Sequence, residues 1–545
     1  MANPNPTLAA PAPARPRVDP WSTAALLLLL VGLAVRLAVA FPAHMYAADA
    51  DSLLEGMCAD KVLRGETPVF FSGFRIGSLE CHLTASLFAL FGRSRGSLAL
   101  GPVILGCLFL VLVYRTLRRL LGPRIAAFAL LFFALPPPAV LFWVYMPNGY
   151  PLVLALCAAI LWAAVRLERP DSRPASTRWD ACTFGLVAGL AIWDSLQTVT
   201  CLVPAFAWVA WRRRDLLRDV RVWAVSLAGL LLGAFPWLAF NLRYHWPSLT
   251  ANFASRPASG RAAVLANVEY FFRSSIPELL ASLDPEGSVT RPPAVQRALW
   301  GPVLAIWVVA LLWFLAAPAL GRRREGAVPV PVWLLLTGVA VMTFLVNVLS
   351  TAGELRGLTV RYTLPLFLAA VPALALFLDA VARRGRPGAV AAVVLAAAIV
   401  LFDLAGFRWP GHPRRNHLEE VGRKQAAVVA ALERQRVQAI VGASWVVYPM
   451  TFLSDEKVLG IPCEPAADFY DYTARLGTPE RWLLLGGVQA RAKLAAWGAR
   501  TGVPGEVRDL SPGYVAFVPA AGNPLGRDLL ARVQTACGPV PPYGP

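Results

Sequence analysis

The sequence contains little charge for a chain of 545 residues. Charged residues make up 15% and hydrophobic residues 57%, whereas soluble domains carry roughly 25% charged residues. This deficit argues against a water-soluble globule with a single hydrophobic core. The apolar residues are instead spread over long runs, which predicts a polytopic membrane protein.

Lysine is also rare, so the formal net charge of +18 comes almost entirely from arginine. The arginines lie between the apolar runs and form no continuous basic stripe. This arrangement is typical of cytoplasmic loops that obey the positive-inside rule. It argues against nucleic acid as a partner, because nucleic-acid binding needs a clustered basic surface.

The chain has only eight cysteines. Four of them fall within predicted membrane spans, where cysteine behaves as a small apolar residue: Cys107, Cys157, Cys182 and Cys201. Cys58 and Cys81 share the first predicted outer loop, and Cys463 and Cys537 share the C-terminal tail. Both pairs lie where disulfides can persist, but the sequence leaves open whether either pair is bonded.

About eleven apolar runs are long enough to cross a hydrocarbon core of roughly 30 Å. They lie near residues 21–41, 97–117, 125–143, 150–166, 180–193, 196–211, 222–242, 298–318, 329–350, 362–381 and 388–406. Asp194 and Pro204 interrupt the 180–211 region, which is therefore either a tight pair of spans or one broken span. The sequence thus predicts an all-α polytopic bundle over residues 21–406.

Every second loop between these runs is rich in arginine, which predicts that those loops are cytoplasmic. The Pro/Ala-rich residues 1–20 are then expected to be a disordered cytoplasmic tail. With an odd number of spans, the loops 42–96 and 243–297 and the tail 407–545 are predicted to lie outside the cytoplasm.

The tail changes in composition and alternates between two patterns. The segment HLEEVGRKQAAVVAALERQR has amphipathic helical spacing, and VQARAKLAAWGAR follows it as a second predicted helix. The segments VQAIVGA, RWLLLGG and YVAFVP predict short buried strands. Residues 407–545 are therefore predicted to form a small α/β extracytoplasmic domain, without a Gly-rich phosphate loop or a zinc-ligand spacing.

The first predicted outer loop concentrates ionisable residues, beginning with Asp49 and Asp51. Transfer of a sugar from a lipid phosphate needs a carboxylate base, cations for the departing phosphate and an apolar groove. Asp51 or Asp49 could be the base, and the two together could hold a divalent cation, Mg²⁺ or Mn²⁺. The candidates for binding the donor phosphate or substrate are Lys61, Arg64, Arg75, Glu80, Arg243, Arg273, Arg361 and Tyr362.

Each candidate also has a structural interpretation. An arginine at this level can be solvated or can contact a lipid headgroup, and Arg361 could pair with Glu354. The two aspartates could be solvated or could cap the helix predicted from SLLEGM. The residue types alone therefore leave catalysis and structural roles open.

Several segments resemble the GT-C glycosyltransferases. The segments Asp51–Gly56, Leu63–Glu66, Gly77–Glu80 and Leu90–Gly92 are similar to the first outer loop of that superfamily. Further similar segments follow in the expected order: Leu135–Pro137, Gly185–Gly189 with Trp193, Gly233–Pro236 with Asn241, Arg361–Pro365, and Trp445–Phe452 with Glu456. The resemblance is strongest to a bacterial group of membrane proteins related to protein mannosyltransferases and the aminoarabinose lipid A transferase.

This resemblance implies a GT-C-like fold in the bacterial inner membrane and a polyprenyl-phosphate sugar as donor. It also implies inverting transfer to a glycan, lipid or protein acceptor outside the cytoplasm. The catalytic base of the family lies just after the first span, and the spacing to Gly56 assigns that role to Asp51. The usual following acid is replaced by Ser52, and Asp49 is an additional upstream acid.

Two other functions are weighed against the glycosyltransferase. A multi-pass transporter or flippase for a lipid-linked or anionic substrate would predict matching broken segments in two internal repeats, and no such repeat is seen. Arg36 is the clearest charge inside a span, and one such arginine is more often structural. A non-catalytic scaffold or sensor would leave the acidic first loop unexplained.

Overall fold

The structure is a computed structural model. It describes residues 19–42, 50–72, 76–147, 149–168, 174–249, 260–282, 294–320, 328–349, 360–407, 409–410, 413–463 and 477–537. Residues 1–18, most of the predicted cytoplasmic tail, lie outside this part.

The first half of the described chain is almost entirely helical. Its α-helices are α1 (Pro20–Val35), α2 (Ala50–Leu63), α3 (Leu79–Phe91), α4 (Arg95–Leu121), α5 (Pro123–Ala134), α6 (Pro138–Val144), α7 (Tyr150–Leu167), α8 (Pro174–Asp194), α9 (Val199–Arg212), α10 (Val220–Gly233) and α11 (Phe235–Arg243). Two short strands, β1 (Phe70–Ser72) and β2 (Ile76–Gly77), pair antiparallel between α2 and α3.

The second half completes the bundle and adds the C-terminal domain. Its α-helices are α12 (Arg261–Tyr270), α13 (Ile276–Ala281), α14 (Ala294–Leu320), α15 (Val330–Leu349), α16 (Val360–Ala382), α17 (Arg386–Gly406), α18 (Pro413–Arg434), α19 (Ser444–Leu453), α20 (Arg491–Thr501) and α21 (Arg527–Cys537). Its strands are β3 (Ala439–Gly442), β4 (Leu459–Pro462), β5 (Trp482–Gly487), β6 (Gly505–Ser511) and β7 (Tyr514–Pro519).

Seven helices in the described residues are long and apolar enough to cross a membrane. The number rises to nine if the bent pairs α5–α6 and α10–α11 each form one span. The two weakest predicted spans, 180–193 and 196–211, coincide with α8 and α9, which do not meet that criterion. The helical architecture confirms the predicted polytopic bundle, and exposed leucines on α1, such as Leu26 and Leu30, suit a lipid-facing surface.

The bend of 79° between α5 and α6 follows from the sequence Leu135-Pro-Pro-Pro138. Proline cannot donate a backbone hydrogen bond, so the last carbonyls of α5 lose their helical partners. Arg36 replaces those partners: its guanidinium donates to the carbonyl oxygens of Phe133 and Ala134, each at 3.2 Å, and to the hydroxyl of Tyr145. The buried Arg36 is therefore a structural residue that stabilises a broken span.

Four glycines bring α8 and α10 into backbone contact. A Cβ atom at Gly185 would overlap the carbonyl oxygen of Ser226, and one at Gly189 would overlap that of Leu230. Gly229 and Gly233 meet α8 in the same way. Small residues four apart allow membrane helices to pack this closely, and the two helices run parallel.

The two ends of the bundle carry different interactions. Near the end of α16, Asp379 binds Arg124 at 3.0 Å and Arg383 at 2.7 Å. Arg361 lies at the beginning of the same helix, about 27 Å away at 1.5 Å per residue. Helices α2 and α3 and the C-terminal domain all lie at the Arg361 end, which we call the α2 side.

The C-terminal domain contains a five-stranded sheet of order β4-β3-β5-β7-β6. Strand β3 pairs parallel with β4 and β5, whereas β7 pairs antiparallel with β5 and β6. The predicted strands at VQAIVGA, RWLLLGG and YVAFVP are β3, β5 and β7, and the two predicted helices are α18 and α20. The small α/β domain is therefore confirmed.

The helices after the first span share a hydrophobic core with this domain. Leu53 and Met57 of α2 and Phe88 of α3 belong to the same buried cluster as Val447 and Phe452 of α19. Apolar contact of this kind is the main source of packing free energy. The α2–α3 segment is therefore a fixed part of the folded protein and not a solvated loop.

The cysteine pairs differ in their bonding. Cys58 and Cys81 are both reduced and fully buried, and they contact each other between α2 and α3. Burial and the neighbouring Cys58 raise the pKa of the Cys81 thiol well above its ordinary value. Cys463 is disulfide-bonded. The side chain of Cys537, with which it was paired in the sequence, lies outside the described part of the chain.

Candidate active site

Asp51 lies in the first turn of α2, where the helix N-terminus favours a negative charge. Its Oδ2 atom is 3.8 Å from an NH1 atom of Arg361, the second residue of α16. The Asp51 side chain is 32% exposed and that of Arg361 is 13% exposed. A half-buried carboxylate and a nearly buried cation thus face each other where α2 meets the bundle.

Three aromatic rings surround the guanidinium of Arg361. Its Cζ atom lies 4.9 Å from the ring centroid of Tyr362 and 5.6 Å from those of Trp143 and Tyr150. Each distance is within the range of a cation–π interaction. Gln197 also donates to the Arg361 carbonyl at 2.8 Å, so side chain and backbone are both held.

The Nε atom of Arg361 is buried and has no hydrogen-bond partner among the described residues. A buried guanidinium donor without a partner is costly, because ionised groups need hydrogen bonds when they leave water. The hydroxyl of Tyr362 forms a hydrogen bond with the guanidinium, but it leaves Nε itself without an acceptor among the described residues. The arrangement therefore offers a donor group to an anion that could enter the site.

Two opposing effects act on the pKa of Asp51. Burial raises the pKa above its ordinary value, and the positive charge of Arg361 lowers it. The burial effect is the larger one. Asp51 is therefore a stronger proton acceptor than a solvated aspartate, and Arg361 helps to keep it ionised.

Three further carboxylates are buried behind Asp51. Glu55 lies one turn further along α2, Glu80 is the second residue of α3 and Asp194 is the last residue of α8, and each is at most 1% exposed. The hydroxyl of Thr84 donates to Glu55 at 2.5 Å, and the N–H of Gly149 donates to Glu80 at 2.9 Å. We call Glu55, Glu80 and Asp194 the buried acid cluster.

Burial raises the pKa of Glu80 well above its ordinary value, and the neighbouring Glu55 and Asp194 raise it further. The Gly149 N–H opposes this shift, but its contribution is smaller. Adjacent carboxylates cannot all be ionised in a buried site. Burial and mutual repulsion therefore both favour the protonated form in the buried acid cluster.

Other sequence-predicted candidates lie elsewhere. Lys61 and Arg64 are near the opposite end of α2, about 15 Å or more from Asp51 along the helix. Arg64 pairs with Glu66 and Glu456 there, and burial lowers the pKa of Lys61. The structure does not bring these two cations to Arg361, and their role as donor ligands stays a prediction.

Arg243 and Arg273 are exposed, at the end of α11 and in the π-helical turn Phe271–Ser275. Arg273 binds Glu269 at 2.7 Å on the protein surface. Asp49, Arg75 and Glu354 lie outside the described residues. The described candidates that come together are thus Asp51, Arg361 and Tyr362, with Glu80 behind them.

Trp143, Tyr150 and Asp194 contribute to this region but were not predicted as site residues. The two aromatic residues lie in or beside apolar runs, where they cannot be distinguished from ordinary core residues. Asp194 did leave a signal, because it is an acid within the 180–211 apolar region. In the sequence, this acid indicates a break in the apolar run as readily as a functional site.

A divalent cation on Asp49 and Asp51 was left open by the sequence. Among the described residues, no group of three or more histidine, cysteine, aspartate or glutamate side chains is arranged to hold a metal ion. Asp51 instead faces a guanidinium, which competes with a cation for the same carboxylate oxygens. Asp49, the other proposed ligand, lies outside the described residues, so a cation held by Asp49 and Asp51 stays a prediction, and no chemical step below depends on a metal.

Residues 81–240 match the family described as dolichyl-phosphate-mannose-protein mannosyltransferase. ArnT from Cupriavidus metallidurans, crystallised with undecaprenyl phosphate, superposes with a TM-score of 0.59 at 15% identity, covering 92% of this chain and 98% of ArnT. The protein has a GT-C fold. The sequence resemblance to the GT-C superfamily, in the group related to protein mannosyltransferases and ArnT, is therefore confirmed.

Two further structures share the GT-C fold. The apo form of the same ArnT has a TM-score of 0.57 at 14% identity, covering 96% of this chain and all of ArnT (100%). The archaeal oligosaccharyltransferase AglB from Archaeoglobus fulgidus, in complex with an inhibitory peptide and a dolichol-phosphate, has a TM-score of 0.50 at 13% identity. That match covers 81% of this chain and 64% of AglB. No curated protein sequence matches the chain.

Proposed function

We propose that the protein is a membrane glycosyltransferase that moves a sugar from a polyprenyl-phosphate donor to an extracytoplasmic acceptor, with inversion at the sugar carbon. The observation that carries this proposal is the pairing of Asp51 with Arg361 at 3.8 Å on the α2 side. The GT-C fold and the family match over residues 81–240 support it. The undecaprenyl phosphate bound to ArnT supports a lipid-phosphate donor.

Arg361 is the proposed ligand of the donor phosphate, with Tyr362 beside it. A guanidinium that is held by aromatic rings and presents a buried unpaired Nε is preorganised for an anion. Arginine also binds phosphate through two parallel hydrogen bonds, which fixes the leaving group in one orientation. The phosphate leaves as a stable anion, so no carboxylic acid is needed to protonate it.

Asp51 is the proposed general base. It accepts the proton of the acceptor nucleophile while that nucleophile bonds to the anomeric carbon and the bond to the phosphate oxygen breaks. When a phosphate binds Arg361, part of the positive charge next to Asp51 is neutralised. The pKa of Asp51 then rises, so donor binding itself makes the base stronger.

Asp51→Asn tests the base, because asparagine keeps the shape and removes the basicity. Membranes containing the variant should bind undecaprenyl phosphate normally, whereas turnover of a labelled polyprenyl-phosphate sugar should fall roughly 10²–10⁴-fold. In the same assays, Arg361→Lys should weaken donor binding, because lysine cannot form the paired contacts of a guanidinium. Glu66→Gln, at the other end of α2, is the matched control and should behave as wild type.

Normal turnover in Asp51→Asn together with a loss in Asp49→Asn would move the base by two residues. Normal turnover in both Asp51→Asn and Asp49→Asn would contradict the proposed glycosyltransferase mechanism. It would favour a transporter or flippase of lipid-linked substrates. Normal donor binding in Arg361→Lys and in Arg361→Ala would exclude Arg361 from the donor site.

A further inference from the structure

Arg93 lies in the turn between α3 and α4, and it joins three parts of the chain. Its Nε atom donates to both carboxylate oxygens of Asp60 on α2, at 3.0 Å and 2.8 Å. One terminal nitrogen donates to the carbonyl oxygen of Phe452 at 2.9 Å and to Asp455 at 2.6 Å. A single side chain therefore holds α2, the α3–α4 turn and the C-terminal domain together.

The ring of Phe452 completes this contact. The Cζ atom of Arg93 lies 3.9 Å from the ring centroid, which is close for a cation–π pair. The edge of the same ring packs on Gly56 of α2, where a Cβ atom would be 2.5 Å from Cε2. Phe452 is thus clamped between the guanidinium and the backbone of α2.

The backbone turn that follows α19 positions two acidic residues for contact with arginines of the α2–α4 region. Asp455 and Glu456 both have left-handed conformations, with φ of 53° and 57°, which cost energy for residues other than glycine. The Glu456 N–H is held by the carbonyl of Thr451 at 2.9 Å. This turn places Asp455 on Arg93 and Glu456 on Arg64, at 3.4 Å.

We propose that Arg93 is a positioning residue that sets the place of Asp51 through α2, and that the C-terminal domain controls the reaction through this contact. Asp60 and Asp51 lie on one unbroken helix, about 13 Å apart along its axis. An α-helix of this length transmits a shift at one end to the other. This inference rests on the proposed function, because it concerns the base of that reaction.

The chemistry of the contact requires arginine. The side chain of Asp60 is 10% exposed, and burial raises its pKa whereas Arg93 lowers it. Lysine could neutralise Asp60 but could not also stack on Phe452 and donate to two further acceptors. Arg93→Lys should therefore preserve the charge and lose the geometry.

The kinetic test compares Arg93→Lys and Arg93→Ala with Lys457→Ala, which removes an exposed cation two residues from Asp455. We expect kcat to fall roughly 10- to 100-fold in both Arg93 variants, because a displacement of about 1 Å has effects of this size. KM for the lipid donor should change much less than kcat, since Gln197, Trp143 and Tyr150 hold Arg361 from helices other than α2. Lys457→Ala should match wild type.

The pH profile separates positioning from simple loss of folded protein. Asp51 is faced by Arg361 of α16 and Tyr150 of α7, and Glu55 lies one turn along its own helix. If α2 moves, both the burial of Asp51 and its distance from Arg361 change, so the pKa of Asp51 and with it the acid limb of kcat/KM should shift. Loss of folded protein would lower the rate by the same factor at every pH. A pH profile of kcat/KM that is lower than that of wild type but has its acid limb at the same pH would therefore overturn the proposal.

Hydrogen–deuterium exchange provides a readout that does not depend on activity. In Arg93→Ala, the amides of α2 from Ser52 to Asp60 should exchange at least tenfold faster, whereas those of α7 should be unchanged. If the Arg93→Ala variant exchanges faster but wild type shows no transferase activity, the proposed function is wrong. The contact between α2 and the C-terminal domain would still stand. Unchanged exchange in an active protein would overturn the positioning role of Arg93.

Discussion

Folding transfers the Glu80 carboxylate from water to a site that protein atoms enclose. Its pKa is raised in the folded state, so folding takes up a proton. The stability associated with Glu80 is fully present below the unfolded pKa and is lost as the pH rises through the folded pKa. Glu80 therefore contributes to the slope of protein stability against pH, together with other carboxylates whose pKa is raised, such as Asp51 and Asp60.

Glu80→Gln provides a test, because glutamine resembles the protonated acid and has no proton to take up. Relative to wild type, we expect the variant to melt about 2 °C or more higher at pH 8 and at nearly the same temperature at pH 5. Glu66→Gln, an exposed substitution, should keep the wild-type slope. Identical pH slopes for Glu80→Gln and wild type would show that Glu80 is ionised in the fold.

Asp51 is a candidate from the sequence because the resemblance to the GT-C family, through the spacing to Gly56, implies it as the base, and this role stays a proposal. Arg361 could be recognised because it begins a span. The ring of aromatic residues around Arg361 could not be recognised, because Trp143 and Tyr150 are brought there by the packing of α6 and α7 against α16, which is distant in sequence. Arg93 was missed for the same reason: its partners are Asp60 on α2 and residues of α19, far away in sequence.

At the scale of elements, the glycine contact between α8 and α10 makes a clear prediction. Gly189→Val should lower the melting temperature by several degrees and reduce the folded yield, since the new side chain would overlap the backbone of α10. Gly301→Val in α14 is the matched control, because a Cβ atom there meets nothing within 4 Å. Equal stability of the two variants would contradict the close packing of α8 on α10.

The elements that the sequence predicted are those with strong periodicity or long apolar runs. The long spans and β3, β5 and β7 belong to this group. Strand β4 was not predicted, because Leu459–Pro462 is short and ends in proline. Strand β6 was not predicted either, since it lies at the sheet edge and is largely exposed, so it carries no apolar alternation.

At the scale of the whole molecule, α2, α3 and the C-terminal domain lie at the same end of the helical bundle. The alternation of basic loops predicts this arrangement, because it places the loop 42–96 and the tail 407–545 on one side of the membrane. The direction of the chain in the membrane stays a prediction. Reporter fusions after Arg118, Arg213 and Arg323 should be cytoplasmic, and a fusion after Arg415 should be external. A cytoplasmic signal at Arg415 would place Asp51 on the wrong side for an extracytoplasmic acceptor.

The hydrophobic cluster shared by α2, α3 and α19 also has a consequence for the newly made protein. Translation finishes α2 long before it reaches Ser444–Leu453, a delay of roughly 20 to 80 s at 5–20 residues per second. During that time Leu53, Met57 and Phe88 have no partner from the C-terminal domain. A chain that stops before α19 therefore lacks the partner that covers these side chains, and limited proteolysis should cut α2 and α3 faster in such a truncated chain than in the full-length protein.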